Sequence, residues 1–230
     1  MDKKIITLKS VLFDMDGVLY NSMPYHSEAW HKTMASVGLN LSREEAYMHE
    51  GRTGASTINI LFNRELGRDA TSKEIEDLYY KKSIEFNTYP SPEPMPGAWE
   101  LLQKIRNSGI TPTVVTGSGQ HSLLDRLEHH FPDMFCQELM VTAFDVKYGK
   151  PNPEPYLMAL KKGNLKPNEA IVIENAPLGV ESAHNAGIFT IAVNTGPLDD
   201  QVLLNAGADL LLPSMISLYQ EWENIISSLL

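Results

Sequence analysis

The chain has 230 residues, of which 43% are hydrophobic and 21% charged, values that are ordinary for a globular protein with a buried core. Its formal net charge is −10, and no run of basic residues interrupts the sequence. These features argue against nucleic acid or an anionic membrane as the main partner. Cys136 is the single cysteine and no apolar stretch reaches 18 residues, so we expect a cytoplasmic monomer without disulfides.

The first predicted element is a short apolar run, residues 11–13, which is typical of a buried strand. It leads directly into two carboxylates one residue apart, Asp14 and Asp16, in the stretch VLFDMDGVLYNS. Two acids in this position form either a polar turn or a pair that shares a metal ion. More distant residues have to decide between these interpretations.

Residues 20–92 carry only helical patterns. Helix starts are indicated at Ser22, Ser42 and Thr71, and the last two are followed three residues later by a glutamate, as in a capping box. The segment YPSPEPMPG then places four prolines at alternate positions, which predicts a stiff, extended connection. We therefore expect a small all-helical domain at residues 20–92 and a second domain built from residues 1–19 and 93–230.

Beyond the proline segment, helical patterns alternate with short apolar strands. Strands are predicted at 111–116, 139–142, 170–174, 188–193 and 209–212, and helices at 98–107, 121–130, 156–162, 178–186 and the C-terminus. This alternation predicts an α/β fold with a Rossmann-like parallel sheet and helices on both faces. In such sheets ligands bind beyond the carboxyl ends of the strands.

Polar residues stand at those carboxyl ends, far apart in sequence but expected in one crevice. They are Asp14, Asp16, Thr116, Gly117, Ser118, Glu174 and Asn175, with Lys150 ahead of a helix. The acids and the amide are oxygen ligands that suit Mg²⁺, while Thr116 and the N–H groups after it can hold phosphate. Lys150 supplies positive charge. One carboxylate could then attack phosphorus while the other moves protons.

The segments DMDGVL, VVTGS, YGKPNPEPY and VIENAPLGV resemble, in this order, the four motifs of the haloacid dehalogenase superfamily. The helical insert resembles its type 1 cap, and YHSEAW and PGAWELL are similar to the β-phosphoglucomutase-like subfamily. The resemblance implies that Asp14 is the nucleophile and Asp16 the general acid/base. It also implies that Mg²⁺ is held by Asp14, the carbonyl of Asp16 and Asn175, and that Thr116 and Lys150 bind phosphate.

One position departs from the family pattern, because Asn175 stands where the family usually has aspartate. An amide oxygen can still bind Mg²⁺ but brings no charge. We expect Glu174 to supply the remaining charge, directly or through water, and we expect the protein to be active.

The cap loop HEGRTGAST bears on the substrate. In β-phosphoglucomutases this loop carries an arginine for a second phosphate, and Gly54 takes its place here, which argues against mutase activity. The predicted substrate-binding residues of the cap are His26, Glu50, Arg52 and Lys82. Because an acid above an anion site needs a cation, we expect Glu50 to order Arg52 or Lys82 and to narrow the pocket.

The segments NSMPYHSEAW and EGRTGASTINI are similar to a bacterial type of inorganic pyrophosphatase within the same superfamily. The resemblance implies Mg²⁺-dependent hydrolysis of pyrophosphate, a small phosphorylated substrate. The alternatives are a sugar-phosphate phosphatase, a β-phosphoglucomutase and a catalytically silent binding protein. Hinges are expected at Tyr20–Ser22 and in the proline segment, so that the cap opens and closes.

Overall fold

The computed structural model of the protein describes residues 7–118 and 121–229. Five strands form one parallel sheet in the order β2-β1-β3-β4-β5. The strands are β1 (Ser10–Phe13), β2 (Thr111–Val114), β3 (Ala170–Glu174), β4 (Phe189–Val193) and β5 (Leu210–Leu212). The α/β fold with a parallel sheet predicted from the sequence is confirmed.

The described residues form ten α-helices. Five of them lie between β1 and β2, and the first four of these follow β1 in succession. These four are α1 (Met23–Ala35), α2 (Arg43–Met48), α3 (Gly54–Leu66) and α4 (Ser72–Phe86). The other six are α5 (Ala98–Asn107), α6 (His121–His130), α7 (Glu154–Gly163), α8 (Pro177–Asn185), α9 (Asp200–Asn205) and α10 (Met215–Leu229). Within these ranges no helix combines the length and the apolar character that crossing a membrane requires.

The sheet is buried on both faces, as continuous apolar strands predict. Successive residues of β1 point to opposite sides, so Val11 and Phe13 join one apolar cluster while Leu12 joins another. The chain moves from β1 to β2 on one side and later to β3 on the other. The carboxyl end of β1 therefore lies where the strand order reverses, which is the position at which open α/β sheets bind ligands.

The prediction of a strand at 139–142 is wrong, because the structure has only an isolated bridge there. A single bridge pairs Val141 with Val115, and β2 itself ends at Val114. Immediately afterwards, the carboxylate of Asp145 accepts hydrogen bonds from both the N–H and the hydroxyl of Thr142, at 2.8 and 2.9 Å. These bonds fold the chain into a turn, and the pairing cannot continue.

Helices α1–α4 form the cap and bury an apolar cluster of their own. Its members are Met34, Leu39, Leu41, Ile58, Leu61, Phe62 and Leu78. Thr71 and Glu74 form the predicted capping box at the start of α4, and Ser42 caps α2. The domain boundaries remain a prediction.

The two segments that join the cap to the sheet domain run side by side. Tyr20 pairs with Pro94 in an antiparallel bridge. The N–H of Asn21 donates to the carbonyl of Glu93 at 3.0 Å, and the N–H of Met95 donates to the carbonyl of Leu19 at 2.8 Å. The chain thus enters and leaves the cap at the same place.

Candidate active site

Asp14 lies where β1 ends. Its N–H donates to the carbonyl of Ile173 on the neighbouring strand at 3.0 Å, which fixes the backbone just before the chain leaves the sheet. Its buried carboxylate accepts a hydrogen bond from the Lys150 ammonium at 2.5 Å. Burial raises the pKa of Asp14 to about 8, with Glu174 and Asp16 adding to the rise and Lys150 opposing it. Further positive charge at this position would favour the ionised nucleophile.

Lys150 reaches the nucleophile candidate from the loop ahead of α7. Its buried ammonium donates to Asp14, to Oε1 of Glu174 at 2.6 Å and to the carbonyl of Val115 at 3.1 Å. Burial lowers the pKa of Lys150, but the two carboxylates outweigh burial and hold the pKa above its ordinary value. The lysine stays charged and can neutralise a negative group beside Asp14.

Glu174 has a different set of partners from those expected of a metal ligand. Its Oε1 accepts hydrogen bonds from Lys150 at 2.6 Å and from the Tyr156 hydroxyl at 2.8 Å. Its Oε2 accepts from the N–H groups of Asn175 and Ala176 at 3.0 and 3.3 Å. A carboxylate has about four lone-pair positions, and all are used here. In this structure Glu174 therefore positions Lys150 and has no free lone pair for direct binding of a metal.

Asp16 is the end of a buried chain of polar groups that reaches into the cap. Its Oδ1 accepts a hydrogen bond from the Ser22 hydroxyl at 2.5 Å and lies 3.2 Å from Nε2 of His26. On the other side of the ring, the ammonium of Lys82 donates to Nδ1 of His26 at 2.6 Å. Burial raises the pKa of Asp16, but His26, Ser22 and Lys82 outweigh burial and bring it below its ordinary value.

The predicted phosphate-binding residues follow β2. Thr116 is buried, and its N–H donates to the carbonyl of Val141 at 2.9 Å. Its hydroxyl accepts a hydrogen bond from the N–H of Ser118 at 3.0 Å, which closes a tight turn around Gly117. A Cβ at Gly117 would lie 2.5 Å from the carbonyl oxygen of Gly51 in the cap. Only a glycine lets the two loops approach so closely.

Glu50 reaches across from the cap and contacts Asn175, and not Arg52 or Lys82 as expected. Its two carboxylate oxygens accept hydrogen bonds from the amide nitrogen of Asn175 at 3.0 and 3.1 Å. Burial raises the pKa of Glu50 well above its ordinary value, and Asp14 adds to the rise. The expectation that Glu50 orders a cationic side chain is wrong, because both of its oxygens face the amide of Asn175 and no ion pair joins it to Arg52 or Lys82 among the described residues.

Three of the four predicted magnesium ligands, Asp14, Asp16 and Asn175, fit a cation. The amide nitrogen of Asn175 is held by Glu50, and its buried Oδ1 has no hydrogen-bond partner among the described residues. An orphaned acceptor beside Asp14 and Asp16 is the environment that a hard cation satisfies. No three His, Cys, Asp or Glu side chains of the described chain are grouped closely enough to bind a metal on their own. This agrees with a donor set that includes an amide and a backbone carbonyl.

Arg52 lies beside the same cavity without an anionic partner. It forms no ion pair with a described residue, and its buried Nε has no hydrogen-bond partner among them. Burial lowers the pKa of Arg52, and only the field of Glu181 opposes this. A partly buried guanidinium of this kind can meet an anionic substrate.

A cavity of about 70 Å³ lies between the cap and the carboxyl ends of the strands. It is lined by predicted site residues and by others that sequence reasoning missed, among them Trp30, His49 and Tyr79. His49 directly precedes Glu50, and Trp30 belongs to the YHSEAW segment, so both lay next to residues already singled out. No signal in the sequence pointed to Tyr79, which packs against Gly54.

The chain is similar to a known protein family, to characterised proteins and to a solved structure. A model of the haloacid dehalogenase-like hydrolases matches residues 11–193. Hexitol phosphatase A of Escherichia coli is 33% identical over 186 residues, which cover 81% of this chain and 83% of that protein. A phosphorylated carbohydrates phosphatase of Thermotoga maritima is 30% identical, with 87% of this chain and 92% of that protein covered. A solved Bacteroides vulgatus structure, provisionally described as a β-phosphoglucomutase, is 66% identical with a TM-score of 0.95, covering 97% of this chain and 91% of that one.

Proposed function

This chain belongs to the haloacid dehalogenase-like hydrolase family, and from that premise we propose that it hydrolyses inorganic pyrophosphate with the help of Mg²⁺. Its relatives are phosphatases and phosphomutases that act on small phosphorylated substrates. That this chain acts on pyrophosphate is our proposal. The observation that carries it is the small size of the cavity.

The proposed reaction begins at Asp14. One of its carboxylate oxygens forms a bond to phosphorus, the bridging P–O bond breaks, and phosphate leaves. Lys150, which already touches Asp14, offsets negative charge on the transferred group. Asp16 then takes a proton from the water that attacks the aspartyl-phosphate, and the second phosphate is released.

Mg²⁺ would be held by the Asp14 carboxylate, the Asp16 carbonyl and the Asn175 amide oxygen, and it would draw negative charge from the phosphoryl oxygens. Glu50 is the cap residue that contacts Asn175 of this set. When the cap moves away, this carboxylate leaves the site with it. We therefore include Glu50 in the proposed site, because its contact with the metal-binding residue Asn175 forms when the cap is closed.

The cavity supports a small substrate. Its volume of about 70 Å³ is far below the roughly 300–1,000 Å³ of pockets that hold drug-sized ligands. Glu50 and Trp30 both line this cavity, and a sugar phosphate would have to fit a ring beside them. Pyrophosphate offers no such ring.

The state of Asp16 also supports pyrophosphate. Its pKa lies below the ordinary value, so at neutral pH Asp16 is a better base than acid. A departing sugar alkoxide needs a proton from the enzyme. A departing hydrogen phosphate is stable as an anion and needs less help from a proton donor. The ionised Asp16 is therefore better matched to an anhydride than to a sugar ester.

A sugar-phosphate phosphatase is the second candidate, and the relatives favour it. The Escherichia coli and Thermotoga maritima proteins are named for hexitol and carbohydrate phosphates. In this alternative the cap opens wider around the substrate than the structure shows, and Arg52 meets the sugar phosphate at the rim of the cavity.

The test is a phosphate-release assay on pyrophosphate, glucose 6-phosphate and sorbitol 6-phosphate, with Mg²⁺ and with EDTA. We expect kcat/KM to be highest for pyrophosphate and activity to vanish with EDTA. Asp14→Asn is the control for contaminating phosphatases. A preference of about tenfold or more for either sugar phosphate would replace the first candidate with the second.

A further inference from the structure

The cap loop, residues 47–54, sits on glycines of the sheet domain. Three loops at the carboxyl edge of the sheet present one each: Gly117, Gly149 and Gly196. A Cβ at Gly149 would lie 2.9 Å from Cγ2 of Thr53, and a Cβ at Gly196 would lie 3.1 Å from the ring of Tyr47. Every one of these contacts joins the sheet domain to the cap.

The backbone does not explain these glycines. Gly149 and Gly196 have φ values outside the left-handed region, so an alanine could adopt either conformation. Gly38 is the opposite case, with a φ of 76° and nothing within 4 Å of the point that a Cβ would occupy. A side chain at Gly149 or Gly196 is therefore opposed by contact with the closed cap and not by the backbone, and more strongly at Gly149, where the distance is shorter.

The cap side of the Gly149 contact cannot move away without loss. The Oγ1 of Thr53 accepts a hydrogen bond from the N–H of Ser56 at 3.3 Å, which caps α3. Because Thr is branched at Cβ, its methyl group is fixed by the rotamer that makes this bond. A methyl group added at position 149 would therefore push the cap loop outward as a unit.

We propose that Gly149 and Gly196 are positioning residues that set how closely the cap loop seats, and that they thereby place Glu50 at Asn175 and keep the cavity small. Glu50 lies in the middle of the loop, between the Tyr47 and Thr53 contacts. Its hydrogen bonds to Asn175, at 3.0 and 3.1 Å, would be lost if the loop moved outward. The choice of substrates in the kinetic test rests on the proposed function, whereas the positioning of the loop rests only on the contacts described above.

The kinetic test is Gly149→Ala. We expect kcat/KM for pyrophosphate to fall about tenfold, mainly through kcat, while that for glucose 6-phosphate changes less than about twofold. Thr53→Ser removes the methyl group that clashes and keeps the capping hydroxyl. The double variant Gly149→Ala/Thr53→Ser should therefore recover most of the loss, which a general destabilisation would not allow.

The matched control is Gly163→Ala. A Cβ there would lie 2.9 Å from Leu165, within the sheet domain and away from the cap, and φ again permits alanine. We expect this variant to keep the wild-type substrate preference. An equal loss in Gly163→Ala and Gly149→Ala, or no recovery in the double variant, would overturn the proposal.

A measurement of shape separates this inference from the proposed function. Small-angle X-ray scattering with Mg²⁺ and inorganic phosphate should give a larger radius of gyration for Gly149→Ala and Gly196→Ala than for the wild type and Gly163→Ala. This result is expected whichever phosphate ester is the substrate. Identical scattering from all four proteins would overturn the proposal even if pyrophosphate is hydrolysed.

Discussion

The side chains around Asp14 repel one another when no cation is bound. Burial raises the pKa values of Asp14 and Glu50, and the fields of the neighbouring acids, among them Asp16 and Glu174, add to the rise. Lys150 is shared between two of these acids and cannot neutralise all four. Catalytic sites commonly hold such groups at the expense of stability.

Asp14→Asn should abolish turnover and stabilise the metal-free protein at pH 8. The folded-state pKa of about 8 lies above the ordinary value of 3.8, so the contribution of Asp14 to stability is present below pH 4 and lost as the pH rises to 8. We expect the variant to melt higher at pH 8, by at least about 2 °C. At pH 4.5 the two proteins should melt alike.

Excess Mg²⁺ should remove this advantage of the Asp14→Asn variant, because the ion binds the carboxylate of the wild type and stabilises its folded state. Thermal melts at both pH values, with and without Mg²⁺, provide the measurement. If the wild type melts higher than the variant at pH 8 without metal, the pKa of Asp14 is not raised in the folded protein.

Lys82 gives a second pH dependence, with the opposite sign. Burial lowers its pKa to about 8 from an ordinary value of 10.5. Between these values the unfolded chain binds the proton and the folded chain does not, so Lys82 increasingly favours folding as the pH rises. The stability of the wild type relative to Lys82→Met should rise from pH 8 to pH 10, by at most about 1.4 kcal/mol per pH unit.

Urea unfolding at pH 7, 8, 9 and 10 measures this difference. Lys81→Met is the control, since Lys81 is exposed on the same helix. A difference that stays flat across the series would show that Lys82 is not a charged group kept in a dry environment.

Residue-level prediction succeeded where a motif has a fixed spacing and failed where contacts cross between domains. The grouping at the sheet edge follows, for Asp14 and Thr116, from their places after strands and, for Lys150, from its place ahead of α7. The contact between Glu50 and Asn175 joins residues 125 positions apart, and no periodicity links them. The turn of Glu174 toward Lys150 depends on Tyr156, which sequence reasoning read only as a helix residue.

At the scale of single elements, helix starts are encoded locally. Thr71 accepts a hydrogen bond from the N–H of Glu74, whose side chain in turn accepts from the N–H of Thr71. Thr71→Ala should lower the free energy of unfolding by about 0.5–2 kcal/mol and leave kcat unchanged, because α4 begins on the outer face of the cap. Thr71→Ser, which keeps the hydroxyl, should unfold close to the wild type in urea.

The ends of elements were predictable when a cap, a glycine or a full strand marks them. Helix α5, helix α6 and strand β3 begin and end at the predicted residues. The run at 139–142 has the apolar composition of a strand, but whether a strand continues depends on a partner to pair with. Here the partner, β2, ends after Val114, and Asp145 turns the chain away.

At the scale of the whole molecule, the order of the strands determines the site. Three elements that carry motif residues, β1, β2 and β3, lie next to one another in the sheet although more than 150 residues separate the first from the last. A parallel sheet predicts this convergence, and the structure shows it. How tightly the cap closes over the sheet could not be predicted, because closure depends on the fit between two surfaces.

Because the two linkers run side by side, the cap is an insertion that enters and leaves the sheet domain at one point. The two connecting segments are held together by hydrogen bonds between Leu19 and Met95 and between Asn21 and Glu93, so a short turn could join the sheet domain across the gap. The length of an insertion adds little to the entropy of closing such a junction. A different helical unit could therefore be spliced in at the same point. Such an exchange would change which substrates the protein recognises and would leave the reacting groups around Asp14 in place.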